Sequence, residues 1–261
     1  NVRFKGDGNV GIGTSNIESR LHLRENSNSL RNILYLQNRN AGANAGSQIA
    51  FNNSTNDLSD NRFAFIRGLT SGAGQNGNAL TFGTNPSGGV PEERLRIDSN
   101  GRLLFGTSSA LSVSGITAGV QVHGTATNNG ASISIARFRN DIYPPLLSFG
   151  KSRNATIAAG TIVQDDDELG QISFNGDDGT DLNSSAARIQ AFVDGTPAAG
   201  MGGTGVPGRL VFSTAEEEDG AMFERMHITN GGSLRIHQFT TNTPGFNNTT
   251  TGLSIEKSNS G

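Results

Sequence analysis

Four consecutive acidic residues, Asp165, Asp166, Asp167 and Glu168, form one of two such runs of candidate ligands in this 261-residue chain. Carboxylate oxygens gathered in one turn could hold a hard cation such as calcium. Asp177, Asp178 and Asp181 make a second acidic loop, and Glu216 to Asp219 a third. None has EF-hand spacing, and acidic residues in turns ordinarily cap backbone N–H groups, so no metal ligand is assigned. A carboxylate pair about 5 to 9.5 Å apart is also what glycoside hydrolysis requires. Carboxylates are scattered along this chain, and nothing in their spacing selects one pair. Gly200-Met201-Gly202-Gly203-Thr204-Gly205 fits the spacing of a dinucleotide fingerprint, whose glycines admit a pyrophosphate at a helix N-terminus. The next residues, Val206-Pro207-Gly208, lead into a strand pattern instead of a helix, so the segment reads as a loop and no cofactor site is assigned. His22, His123, His227 and His237 are isolated, without metal-ligand spacing, and cysteine is absent. No catalytic residue is assigned, because no nucleophile has a recognisable base beside it. Tyr143-Pro144-Pro145 reads as a rigid lead into a strand.

The elements that carry these residues must be built from a lean composition. Hydrophobic residues are 33% of the chain, Trp is absent, Tyr occurs twice, and Phe at 14 copies supplies nearly all the aromatic burial. Thirty-six glycines favour turns and oppose long helices. Charged residues are 16% and the net charge is −3, so the chain lacks both the charge excess of disordered sequences and the basic patch of a nucleic-acid binder. Disulfides are excluded, no apolar run reaches the length of a membrane helix, and no signal peptide is visible at Asn1. The start reads as a cut through a longer protein.

A three-fold sequence repeat is the strongest organising signal. Val2-Arg3-Phe4-Lys5, Gly6-Asp7-Gly8 and Asn9-Val10-Gly11-Ile12-Gly13 match Leu95-Arg96-Ile97-Asp98, Ser99-Asn100-Gly101 and Arg102-Leu103-Leu104-Phe105-Gly106. Met226-His227-Ile228-Thr229, Asn230-Gly231-Gly232 and Ser233-Leu234-Arg235-Ile236-His237 form the third copy. Each predicts a β-hairpin. Strand side chains alternate between faces, so keeping Leu95, Ile97, Leu103 and Phe105 together requires Ile97 opposite Leu103 and Leu95 opposite Phe105. Asp98 then pairs with Arg102 and three loop residues remain, the last in the left-handed conformation that glycine favours. Gly8, Gly101 and Gly232 are therefore the expected structural turn glycines. Val2, Phe4, Val10 and Ile12 should form one apolar face, and Met226, Ile228, Leu234 and Ile236 another.

Matching stretches between the hairpins predict modules of roughly a hundred residues. Gln48-Ile49-Ala50-Phe51-Asn52 corresponds to Gln171-Ile172-Ser173-Phe174-Asn175, followed by polar loops with Asp57-Leu58 or Asp181-Leu182. Arg62 to Gly68 matches Arg188 to Gly195 with one indel, and Ala79 to Thr84 matches Arg209 to Thr214. Glu93-Arg94 and Glu224-Arg225 lead into the closing hairpins. The expected organisation is the end of a preceding repeat at residues 1–9, a first module at 10–103, a second at 104–236, and the start of a third at 237–261. Asn16 to Leu23 could hold one helical turn, capped by Ser15 or Asn16.

At these residues the sequence resembles phage tail-fibre and tailspike proteins, especially those of marine and cyanobacterial phages. The resemblance rests on Leu169-Gly170-Gln171-Ile172-Ser173-Phe174, Ala187 to Ala191, Asp194-Gly195-Thr196-Pro197, Pro207 to Thr214 and Glu224 to Ile228. A Gly-Ile-Gly-Thr ending stands intact at Val10-Gly11-Ile12-Gly13-Thr14, is weakened at Leu104-Phe105-Gly106-Thr107 and is absent after Leu234. The resemblance implies an all-β fold of tandem β-hairpin or β-sandwich-like modules in an elongated trimeric fibre. It further implies a homotrimer in the virion tail, bound to other phage tail proteins, acting as a shaft that positions a distal receptor-binding tip. Many such fibres end in an intramolecular chaperone, which this sequence lacks. Three other readings are open: loops Gly68 to Asn78 and Asp194 to Pro207 could contact host surface glycans, the chain could be a polysaccharide depolymerase, or it could belong to a trimeric bacterial adhesin. The absence of Trp and Tyr from those loops favours the shaft.

Overall fold

The computed structural model describes residues 2–27, 33–38, 45–52, 63–70, 77–87, 89–125, 130–198, 205–217 and 220–236. Their regular structure is entirely β. The chain divides into two compact units, Asn1–Asp141 and Ile142–Gly261. In the first, β1 (Val2–Phe4), β2 (Val10–Ile12) and β3 (Leu21–Leu23) form a three-stranded sheet. A six-stranded sheet comes next in sequential order, made of β4 (Gly46–Phe51), β5 (Ala64–Thr70), β6 (Asn78–Thr84), β7 (Glu92–Ile97), β8 (Leu103–Phe105) and β9 (Val120–Val122). The second unit holds a five-stranded sequential sheet of β10 (Glu168–Gly176), β11 (Ser184–Val193), β12 (Gly208–Ala215), β13 (Met222–Ile228) and β14 (Leu234–Ile236). The expected module boundary between Leu103 and Leu104 falls inside β8.

The three hairpins share one register. Leu95 lies opposite Phe105 and Ile97 opposite Leu103. Val2 pairs with Ile12 and Phe4 with Val10, while Met226 pairs with Ile236 and Ile228 with Leu234. The loops close alike: Asp98 N–H donates to the Arg102 carbonyl at 3.0 Å, and Gly101 N–H to the Asp98 carbonyl at 2.9 Å. The apolar faces do not, however, form the core of the chain. Phe4 and Leu234 are exposed, whereas Leu104 on the opposite face is 1% exposed and Thr81, in the same row beyond Arg96, is fully buried. On that opposite face the Arg67 guanidinium lies 4.0 Å from the Phe65 ring centroid, covering the sheet with side chains from the sheet itself. Gly83 makes room for this ring, since a Cβ there would lie 2.1 Å from a Phe65 ring carbon.

The recurring Glu-Arg dipeptides mark a bulge. Phe82 pairs with Leu95 but Gly83 with Glu93, so Arg94 is the extra residue; Phe212, Met226, Ser213 and Glu224 repeat the arrangement around Arg225. Arg94 Nε donates to Thr84 Oγ1 at 3.3 Å, and Arg225 Nε to Thr214 Oγ1 at 2.9 Å. The extra residue brings Glu93 onto the face of Arg96, and the two form a bidentate pair at 2.6 and 2.8 Å. Glu224 meets His227 at the equivalent place. Pairing also aligns Ala64–Gly68 with Ala187–Ala191 without a gap, because Ile66 lies between Ile49 and Phe82 just as Ile189 lies between Ile172 and Phe212. This replaces the match of Arg62 to Gly68 with Arg188 to Gly195, which had required an indel.

Residues 16–23 contain no helical turn. Thr14 Oγ1 accepts the Asn16 N–H at 3.2 Å and donates to the Asn16 carbonyl at 3.1 Å, a local turn that competes with helix formation. Leu21–Leu23 then pairs in parallel with Val10–Ile12. The same crossover recurs from β8 to β9, with Thr107 Oγ1 accepting the Ser109 N–H at 3.2 Å. His22 Nδ1 accepts the Glu18 N–H at 3.4 Å, and in the later crossover Gln121 Oε1 accepts the Leu111 N–H at 3.0 Å.

Candidate functional site: the apolar sheet faces

Strand pairing lines apolar residues into continuous rows across each large sheet. In the six-stranded sheet one row runs Ile49, Ile66, Phe82, Leu95, Phe105 and Val122. A neighbouring row brings Leu80, Ile97, Leu103 and Val120 together. The five-stranded sheet repeats the arrangement with Ile172, Ile189, Phe212, Met226 and Ile236, and beside them Ala191, Leu210, Ile228 and Leu234. Ile49, Ile66, Leu80, Ile97, Phe105, Val120, Ile172, Leu210, Ile228, Leu234 and Ile236 are all exposed within the single chain. Scattered exposed apolar residues are ordinary, but contiguous rows on one sheet face mark an interaction surface.

The acidic clusters are engaged in local structure. Asp167 accepts two hydrogen bonds from Arg153, both at 2.7 Å, and another from the Gln164 N–H at 2.9 Å. The Arg153 bonds, together with the Gln164 N–H, hold its carboxyl well below the usual carboxylate range. Asp165 accepts the Gly195 N–H at 2.6 Å, and Asp166 pairs with Arg209 at 2.8 Å, so this turn ties the Asp194-Gly195 corner to the sheet. In the second loop, the Ser184 hydroxyl and the Thr180 and Asp181 N–H groups bond Asp178, lowering its pKa in that order. Asp177 accepts from Gly179 N–H and Asp181 from Asn183 N–H, the side-chain turns expected of Asp in loops. Among the described residues no group of three or more His, Asp or Glu is placed to hold a metal ion. Of the histidines, His22 accepts from backbone, His123 donates its backbone N–H to the Phe105 carbonyl, and His227 contacts Glu224. His237, Gly200 to Thr204, residues 71–76, Asp57-Leu58 and Glu218-Asp219 lie outside the described residues.

Gly8, Gly101 and Gly232 have φ of +82°, +78° and +78°, at the last loop position of each hairpin. Sequence reasoning missed two more demanding glycines. Gly13 and Gly106 also have positive φ, +75° and +71°, and a Cβ on them would lie 2.0 Å from the Arg24 carbonyl oxygen and 2.1 Å from that of His123. Both come just after the second hairpin strand, where the parallel strand crosses closest. The signal was present in the Gly-Thr pairs Gly13-Thr14 and Gly106-Thr107, whose threonines close the matching turns.

No protein-family model matches the sequence, and no curated protein matches it significantly. Among solved structures, the carboxy-terminal domain of the bacteriophage T5 L-shaped tail fibre is similar, with a TM-score of 0.61 and 15% identity over 91% of this chain and 97% of that chain. The same domain solved with its intramolecular chaperone gives a TM-score of 0.59 and 14% identity over 90% of this chain and 68% of that one. At such identities what is shared is the fold: along nine-tenths of its length this all-β chain is folded like a phage tail-fibre domain.

Proposed function

We propose that the chain is a non-enzymatic structural segment of a phage tail fibre, of the type found in marine and cyanobacterial phages, that assembles as a homotrimer. The supporting observation is the pair of continuous, exposed apolar rows on sheets whose fold matches a tail-fibre domain. Burial of such faces between chains would supply the core that each chain lacks, since only eight hydrophobic residues are buried among those described. Tandem modules at 10–103 and 104–236 then act as a stiff spacer in the virion tail, joined to other tail proteins and carrying a distal host-binding tip. The turn glycines Gly8, Gly101 and Gly232 set the hairpin that closes each repeat.

A second reading has its own support. The similar solved domain is the carboxy-terminal one of its fibre, so the likeness is equally compatible with an end position for this chain. On that reading loops such as Asp194 to Pro207 contact surface glycans. Cell binding separates the two. The shaft reading expects purified trimer neither to hydrolyse host polysaccharide nor to adhere to host cells, while the complete fibre adheres. Saturable adhesion by this chain alone, abolished by changes between Asp194 and Pro207, would reject the shaft in favour of a receptor-binding module.

A further inference from the structure

The stretch from Ala131 to Phe149 is rich in apolar side chains yet forms no strand. Ser132-Ile133-Ser134-Ile135 alternates as a half-buried strand does, but both isoleucines are exposed. Phe138 and Ile142 are 97% and 92% exposed, and Leu146 and Leu147 are 74% and 66% exposed. Among the described residues, 131–136 and 144–150 make no backbone hydrogen bond. Residues 144–147 thus leave their backbone and the Leu146 and Leu147 side chains unpaired within the second unit.

The five-stranded sheet offers the complementary surface. Phe149 packs over Gly170, where a Cβ would lie 2.9 Å from the Phe149 Cβ. Gly170 pairs with Ala191 on the apolar face, so this face already seats one apolar side chain from an extended segment. Beside Phe149 a groove of about 320 Å³ remains, lined by Ile172, Ile189, Ala191 and Leu210 together with Gln171 and Gln190. Leu146 and Leu147, only three and two residues before Phe149, do not enter it; their exposure shows that they face away.

We infer that this groove is filled by Leu146 and Leu147 of a second copy of the chain, each copy donating this segment to the next. This rests on the trimeric reading above and deepens it. Donor and acceptor are different surfaces, so the contact is head-to-tail and closes only when rotation returns to the first copy, as a threefold axis does. Donation would cover Leu146, Leu147 and the Ile172, Ile189 and Leu210 side chains together, removing both apolar surfaces from water.

The chain has no cysteine, so introduced thiols are unique. Two differently tagged chains, one carrying Leu147→Cys and the other Leu210→Cys, are coexpressed and treated with a short bismaleimide. A product bearing both tags is expected, and its loss when Arg235→Cys, exposed on the opposite face, replaces Leu210→Cys. Light scattering on the same sample separates the failures. A trimer whose Leu210→Cys cross-linking does not exceed that of Arg235→Cys overturns the donation and leaves the trimer standing; a folded monomer overturns both. Hydroxyl-radical footprinting of the unmodified assembly guards against a variant that fails to fold. Protection of Leu146 and Leu147, both exposed in the single chain, is expected, and full reactivity at both refutes the inference.

Discussion

Replacing Gly106 by Ala should destabilise the first unit far more than replacing Gly101 by Ala, although both glycines have nearly the same positive φ. At Gly101 no heavy atom lies within 4 Å of the added Cβ, so the cost is backbone strain alone, about 1–2 kcal/mol. At Gly106 the Cβ would sit 2.1 Å from the His123 carbonyl oxygen. Relieving that overlap means moving β9 away from β8 by roughly an ångström, because non-bonded atoms resist closer approach steeply. His123 N–H donates to the Phe105 carbonyl at 3.0 Å, and such a movement breaks that bond. Adding about 1 kcal/mol for it, and a comparable loss of packing along Leu104 and Gln121, gives about 3–4 kcal/mol. Urea unfolding followed by circular dichroism at one fixed protein concentration reads both variants, since assembly makes stability depend on concentration. Equal midpoint shifts with unchanged slopes would refute the close-approach argument and leave only the dihedral one.

Gly13→Ala should behave like Gly106→Ala, because the Arg24 carbonyl stands where that of His123 does; a local loss of hydrogen-exchange protection at β2 and β3 checks it. Phe65→Ala should cost about 3 kcal/mol in urea unfolding, since it empties a buried site between Gly83 and the Arg67 guanidinium; a change below about 1 kcal/mol would mean the ring is not packed. The Asp167 carboxyl is held below its unfolded value of about 3.9, so it stabilises the fold above that pH, and the contribution is lost as pH falls through and below about 4. Asp167→Asn should therefore reduce stability at pH 7 and flatten the acid limb between about pH 4 and 2; an unchanged limb by pH-dependent melting rejects this role.

The hairpin registers were legible because alternation at Leu95, Ile97, Leu103 and Phe105 admits one pairing that keeps them together. Glu93-Arg94 and Glu224-Arg225 were visible as repeats, but not as bulges, since a bulge is defined by the partner strand, which local spacing does not encode. The crossover to Leu21–Leu23 was missed for a related reason: three residues of parallel pairing carry almost no periodic signal, and the polar run before them resembles a helix start. Gly106 looked like a weakened copy of a motif because its role depends on His123, seventeen residues away in sequence. Which side of each sheet is buried in the chain was also hidden. The pattern identified the apolar side correctly, but Arg67, Arg96 and Glu93 cover the other side first.

The trimer is the claim on which the functional account turns, and the mass of the folded chain tests it most directly. Multi-angle light scattering at micromolar concentration, with circular dichroism verifying β structure, should give about 82 kDa, three times the 27.2 kDa chain. A folded, stable species of 27.2 kDa would contradict it.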